Sequence, residues 1–99
     1  MEYTVKLTLV IWNKERKKFA AGTKELVLPF VPFVGLRFIE KKGPINYPIS
    51  SVSWSPEENC FHCEIETLDD DYHFSIDYMV KAAKKSDWKG FDQVFDANL

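Results

Sequence analysis

LVLPFVPFVG, residues 26–35, is the most apolar stretch of this 99-residue chain, and its reading decides the fold. A spanning helix needs about 20 apolar residues in a row. Here Pro29, Pro32, Gly35 and Arg37 interrupt the run 26–39, so the membrane reading fails on length and on breakers. A proline has no amide hydrogen to give to a sheet ladder, so Pro29 and Pro32 cannot sit inside a central strand. They end one strand and make a corner, and Gly35 lets the backbone turn sharply into the next segment. That corner has two uses. It can fold over the open end of a sheet or small barrel as a plug, or it can stay exposed and mark an interface. The plug is preferred, but Phe30, Val31, Phe33 and Val34 are crowded together and cannot all point inward. Phe30, Val31 and Phe33 are therefore interaction candidates, together with the aromatic side chains of Trp54 and Trp88.

Working outward from the corner, residues 3–11 alternate, with Tyr3, Val5, Leu7, Leu9 and Ile11 on one face and Thr4, Lys6 and Thr8 on the other. Period two over that length predicts a strand with one buried face. NKERKK, 13–18, is a charged turn in which Asn13 suits a left-handed conformation. A second strand follows through 18–28, with a break expected near Gly22. It pairs antiparallel with the first, because a short turn cannot make a parallel crossover. After the corner, LRFIEK from Leu36 is expected to be a third strand. KKGPINYP, 41–48, reads as a loop from its Gly-Pro and Tyr-Pro pairs. ISSVSW, 49–54, and CFHCEIET, from Cys60, are a fourth and fifth strand joined by SPEEN as a hairpin turn.

The acidic LDDDYHF leads to a helix expected from about Ser75. Serine accepts first-turn amides, Asp77 sits near the positive end, and Lys84 and Lys85 crowd the other. Ile76, Met79, Val80 and Ala83 share one face. A strand over 72–78 is the competing reading, since Tyr72, Phe74, Ile76 and Tyr78 also alternate. Beyond the helix, Gly90 is a breaker, and Trp88, Phe91, Val94 and Phe95 are apolar anchors for the tail. The arrangement of strand, LPFVPFVG, strand and ISSVSW resembles that of small uncharacterised bacterial proteins with a Leu-Pro-Phe-x-Pro-x-x-Gly corner between barrel strands. The resemblance spans roughly residues 24–66. It implies a compact β-rich fold and carries no activity.

Composition sets further bounds. A content of 45% hydrophobic and 15% aromatic residues is too rich for disorder, and the length suits a single domain over 1–99. The start MEYTVKLTLVIW lacks the basic region and apolar run of a signal peptide, so the cytoplasm is the expected compartment. The net charge of −2 gives no general attraction to nucleic acid. The two halves differ, however. Residues 1–50 hold nine Lys and Arg against four Asp and Glu, and residues 51–99 hold four against eleven. The simpler explanation is that the halves pack together and complement each other. The other is a two-faced molecule suited to a charged partner or to self-association.

Candidate chemistry is sparse. Cys60 and Cys63 form a C-x-x-C with His62 between them and Glu64 after. Structural zinc sites usually take four such ligands, and only His73 remains elsewhere. On a strand, Cys60, His62 and Glu64 point one way and Phe61, Cys63 and Ile65 the other. The two sulfurs then cannot share a metal or bond each other, since disulfide Cβ atoms lie within about 4.5 Å. Cys63 is expected as a buried small hydrophobe and Cys60 as an incidental thiol. A metal held by Cys60, His62 and His73 is a minor alternative. Asp69, Asp70 and Asp71 lack the alternate spacing of calcium loops and read as a solvated turn. Glu64 and Glu66 beside His62 read as an ordinary polar face.

The expected architecture is α+β: five mostly antiparallel strands in a curved sheet or small barrel, with one C-terminal helix. The expected role is that of a non-enzymatic protein-interaction module with no cofactor, self-associating or serving an accessory or immunity-like partner. The alternative is a small barrel that binds single-stranded nucleic acid through the basic turn of Lys14, Arg16, Lys17 and Lys18. It is disfavoured because no RNA-binding motif accompanies that turn.

Overall fold

The first strand, β1 (Tyr3–Trp12), buries Val5, Leu7, Leu9 and Ile11 on one side, following the alternation of its sequence. This is a computed structural model, and it describes residues 1–13, 17–39, 48–66, 76–92 and 94–96. β2 (Lys18–Leu28) pairs antiparallel with β1 in continuous register from Trp12 opposite Phe19 to Tyr3 opposite Leu28. Asn13 shapes the turn through its side chain rather than through a left-handed backbone. Its Oδ1 accepts from the amides of Lys17 (2.8 Å) and Lys18 (3.1 Å), and its own amide donates to the Lys18 carbonyl. The strand does not break at Gly22. A Cβ there would lie 2.7 Å from the Lys89 carbonyl oxygen and inside the space taken by the Phe91 ring. The glycine is a seat for Phe91, not an interruption.

β3 (Ile49–Ser55) and β4 (Cys60–Glu66) form the expected hairpin, with a register irregularity between Ile49 and Ser51. β4 then lies parallel to β1, with Val5 level with Phe61 and Leu9 level with Ile65. Two short strands complete the sheet: β5 (Lys89–Gly90) and β6 (Phe95–Asp96), both antiparallel to β2. The order is β3-β4-β1-β2-β5, with β6 also on β2, and the sheet stays open rather than closing into a barrel. The fold is α+β, with antiparallel pairing everywhere except at the central β1–β4 junction.

The strand expected from Leu36 is not one. Within the described residues it is reduced to a single bridge, Arg37 opposite Pro48. The two hydrogen bonds beside it tie Gly35 N–H to the Ile49 carbonyl and Ile49 N–H to the Leu36 carbonyl, each at 2.9 Å. Leu36 and Phe38 are spent packing on the core instead of extending a ladder. Residues 40–47, which include Lys41 and Lys42, lie outside the described residues.

Helix α1 (Ile76–Lys85) presses Met79 and Ala83 into the core, with Ile76 and Val80 packed beside them. Ser75, the acidic run Asp69–Asp71, and Tyr72 and Phe74 of the competing strand lie outside the described residues. Ile76 and Tyr78, the last two members of that alternation, are helical. The helix ends in a Schellman motif. Asp87 N–H donates to the Lys84 carbonyl and Trp88 N–H to the Ala83 carbonyl, with Asp87 left-handed at φ 68°. The matching apolar contact is supplied by Trp88 and Ala83, both buried. Lys24 comes from the core face of β2, donates from Nζ to the Ser86 carbonyl (2.8 Å) and lies over the Trp88 ring. A cation there complements the negative end of the helix. β1, β2, β4, α1 and the tail thus converge on one core, in which each fully buried Leu or Ile contributes roughly 1.5–3 kcal/mol.

Candidate functional site

Two regions hold the candidate residues, one at an end of the core face and one on the outer face of the sheet. The first begins where β2 stops. Leu28 is opposite Tyr3, the Tyr3 ring meets Phe61 edge-on at 6.1 Å, and Phe61 meets Trp54 at 4.8 Å. An aromatic row therefore crosses β1, β4 and β3 at the end from which the corner departs. The corner divides its side chains. Leu28 and Pro32 are buried, and Leu36 and Phe38 pack on the core. Phe30, Val31, Phe33 and Val34 turn outward, with Phe33 54% exposed and its ring 6.4 Å from that of Phe30. Trp54, at the end of the aromatic row, is 49% exposed.

Trp88 does not belong with them. It is 3% exposed, held under the end of α1 and beneath Lys24, and so cannot serve as a contact residue. Its companion Phe91 is buried on Gly22, while Val94 and Phe95 remain exposed, Phe95 stacking on Phe19 at 5.4 Å. Of the basic turn, Lys17 and Lys18 are exposed at the start of β2, and Lys18 stands opposite Asp96 of β6. Lys14 and Arg16 lie outside the described residues.

The second region is built by register. Strand alternation puts Cys60, His62 and Glu64 on the outer face and Cys63 and Ile65 in the core. Across that outer face Ser53, His62, Lys6 and Glu25 form one row, and Glu64, Thr8, Thr23 and Lys89 the next. A groove of about 550 Å³ runs along these rows, lined by Lys6, Thr8, Thr23, Glu25, His62 and Lys89 together with Lys24 and Asp87. At its edge the β3–β4 turn folds Glu58 back over the strand. Ser55 Oγ accepts the Glu58 amide at 3.3 Å, and Asn59 takes the left-handed conformation (φ 55°) that closes the turn.

Glu58 then meets three groups at one oxygen. Its Oε2 lies 2.6 Å from His62 Nε2, 3.5 Å from Cys60 Sγ and 3.4 Å from Lys6 Nζ. Cys60 Sγ is 3.7 Å from His62 Nε2. Hydrogen bonds from His62, then Cys60 and Lys6, hold the Glu58 carboxyl below its ordinary pKa. Burial, followed by the hydrogen bond to Glu58 and its charge, pushes the Cys60 thiol up. Burial alone does the same to Cys63.

The structure therefore separates the two cysteines as their spacing requires, and Cys63 is a core residue. It brings Cys60 and His62 together, while His73 lies outside the described residues. Their companion is Glu58, which the strand pattern does not reveal because it sits in the turn, outside the alternation. The only trace in the sequence is its place four residues before His62 across a Pro-led turn. Glu64 points to the same outer face and is exposed. Among the described residues no helix is long and apolar enough to cross a membrane. No protein-family model, no curated protein and no solved structure matches this chain.

Proposed function

We propose that this chain is a small, non-enzymatic protein-interaction module whose contact surface is the corner end of its sheet, and that its first partner is a second copy of itself. The observation that carries this reading is the outward set of Phe30, Val31, Phe33 and Val34, with Trp54 exposed at the same end of the sheet. Grouped exposed apolar side chains cost solubility unless something covers them, and aromatic anchors supply most of the energy of protein interfaces. The buried half of the corner holds the outward half in place, so little ordering has to be offset on binding. An accessory or immunity-like role, with a different protein on this surface, is the same reading with another occupant. The compartment proposed is the cytoplasm.

Light scattering at micromolar concentration tests it. The wild-type chain is expected to show a mass above that of the 11.6 kDa monomer. Phe33→Asp is expected to return it to the monomer with its far-UV circular dichroism unchanged. A wild type that stays monomeric rules out self-association. A Phe33→Asp variant that unfolds makes the corner purely a plug.

A further inference from the structure

The hairpin trio has a donor set and a geometry that hydrogen bonding alone does not require. We infer that Glu58, Cys60 and His62 form a binding site for a zinc-class divalent cation, with one coordination position left open toward the outer groove. Each residue offers one ligand atom, and the three atoms lie within 4.8 Å of one another. A tetrahedral zinc takes bonds of about 2.3 Å to sulfur and about 2.0–2.1 Å to nitrogen or oxygen, which sets the ligand edges at roughly 3.3–3.6 Å. The observed Sγ···Oε2 separation of 3.5 Å and Sγ···Nε2 separation of 3.7 Å already match those edges. Only the Nε2···Oε2 pair, drawn to 2.6 Å by a hydrogen bond, has to open, and it does so by a small rotation of an exposed carboxylate.

The choice of ion follows from the ligands. A thiolate with an imidazole selects a borderline-soft cation and disfavours magnesium and calcium. The Cys60 thiol is fixed in place, because the residue is only 2% exposed and lies on a paired strand. His62 is set two residues along the same face, and the turn supplies Glu58. On binding, the Cys60 S–H proton leaves to solvent as the metal–sulfur bond forms. His62 coordinates through Nε2 with its proton on Nδ1, and Glu58 coordinates as the carboxylate. The cation's two positive charges then meet two negative ones. Lys6 Nζ, 3.4 Å from Glu58 Oε2, competes with the cation for that carboxylate, which sets a cost against affinity. Because a thiol proton is released, binding weakens as pH falls.

Cobalt(II) is the direct probe, since a thiolate–cobalt bond gives a near-ultraviolet charge-transfer absorption. Titration of the reduced chain is expected to saturate at one equivalent with that absorption, and zinc is expected to bleach it. Cys63→Ala, which removes the thiol of the opposite face, should retain the band, and Cys60→Ser should lose it. Glu58→Gln alters an exposed turn residue and keeps the fold, so it guards against a Cys60→Ser variant that does not fold. It should weaken cobalt at least tenfold, since loss of even an outer-shell partner of a ligand commonly costs about 10–100-fold. Absence of the band in the wild type, its survival in Cys60→Ser, or unchanged affinity in Glu58→Gln would each overturn the assignment.

Discussion

The two faces of this one sheet are built from the same strands and behave as different materials. On the inner face Val5, Leu7, Leu9, Ile11, Cys63 and Ile65 share one core with α1 and the tail, and all are at most 1% exposed. On the outer face, one residue along each strand, Lys6, Thr8, Thr23, Glu25, His62 and Glu64 line or border an open groove. The cysteine pair shows the difference most directly. Cys63 is surrounded by core side chains, whereas three residues earlier Cys60 touches a carboxylate and an imidazole. Period-two geometry alone makes this separation, and it lets a small domain keep an apolar core and a polar, ligand-capable surface on a single layer.

The contrast can be broken first at the inner face. Leu9→Ala should cost about 2–5 kcal/mol, since it leaves a cavity beneath close-packed neighbours, read as a lower urea midpoint. The corresponding change on the outer face, Thr8→Ala, should move the midpoint little. Equal losses from the two variants would show that the faces are not distinct.

A smaller effect is expected where the tail closes the inner face. Gly22→Ala places a methyl group against Phe91 and the Lys89 carbonyl oxygen. Overpacking of this kind costs about 1–3 kcal/mol. The loss should shrink in a Phe91→Ala background, because the ring is what the methyl meets. Additive losses in the double variant would mean that the Phe91 ring is not the obstacle.

The smallest expected effect sharpens the comparison through pH. Burial raises the Cys63 thiol above its ordinary value, so the folded chain holds that proton more tightly than the unfolded one. The stability this provides is fully present below the unfolded thiol pKa of about 8.5, and it is lost as pH rises toward the folded value. Denaturation midpoints should therefore fall as pH rises above about 8.5, and the fall should be smaller in Cys63→Ala. An identical decline in that variant would take Cys63 out of the account. The acid side runs the other way. Glu58 is held below its ordinary pKa, so whatever its contacts contribute is present at neutral pH and disappears as the carboxylate protonates.

Much of this was legible in the sequence because it is local. Tyr3 to Ile11 alternate, so β1 and its buried side follow from the pleat. Pro29 and Pro32 lack amide hydrogens, so a corner follows. Cys60 and Cys63 stand three apart on a strand, so opposite faces follow. The helix face of Ile76, Met79, Val80 and Ala83 is equally local, being set by 3.6 residues per turn. Other features needed partners that sequence order does not name. Leu36 and Phe38 have strand-like spacing, but they pack on the core with, among the described residues, only the Arg37–Pro48 bridge between them. Gly22 looks like a break until Phe91, far along the chain, is seen to need the space. Trp88 looks like a surface aromatic until the end of α1 and Lys24 close over it.

By itself, then, the sequence determined the strands that carry a clear alternation, the corner, the helix face and the facing of each thiol, because backbone sterics and side-chain periodicity act over a few residues. Only the tertiary structure decided that β4 lies parallel to β1, that the sheet stays open, that Trp88 goes inside and that Glu58 folds over Cys60 and His62. Those outcomes depend on which distant surfaces bury each other best, and that competition among long-range pairings leaves no periodic mark on the chain.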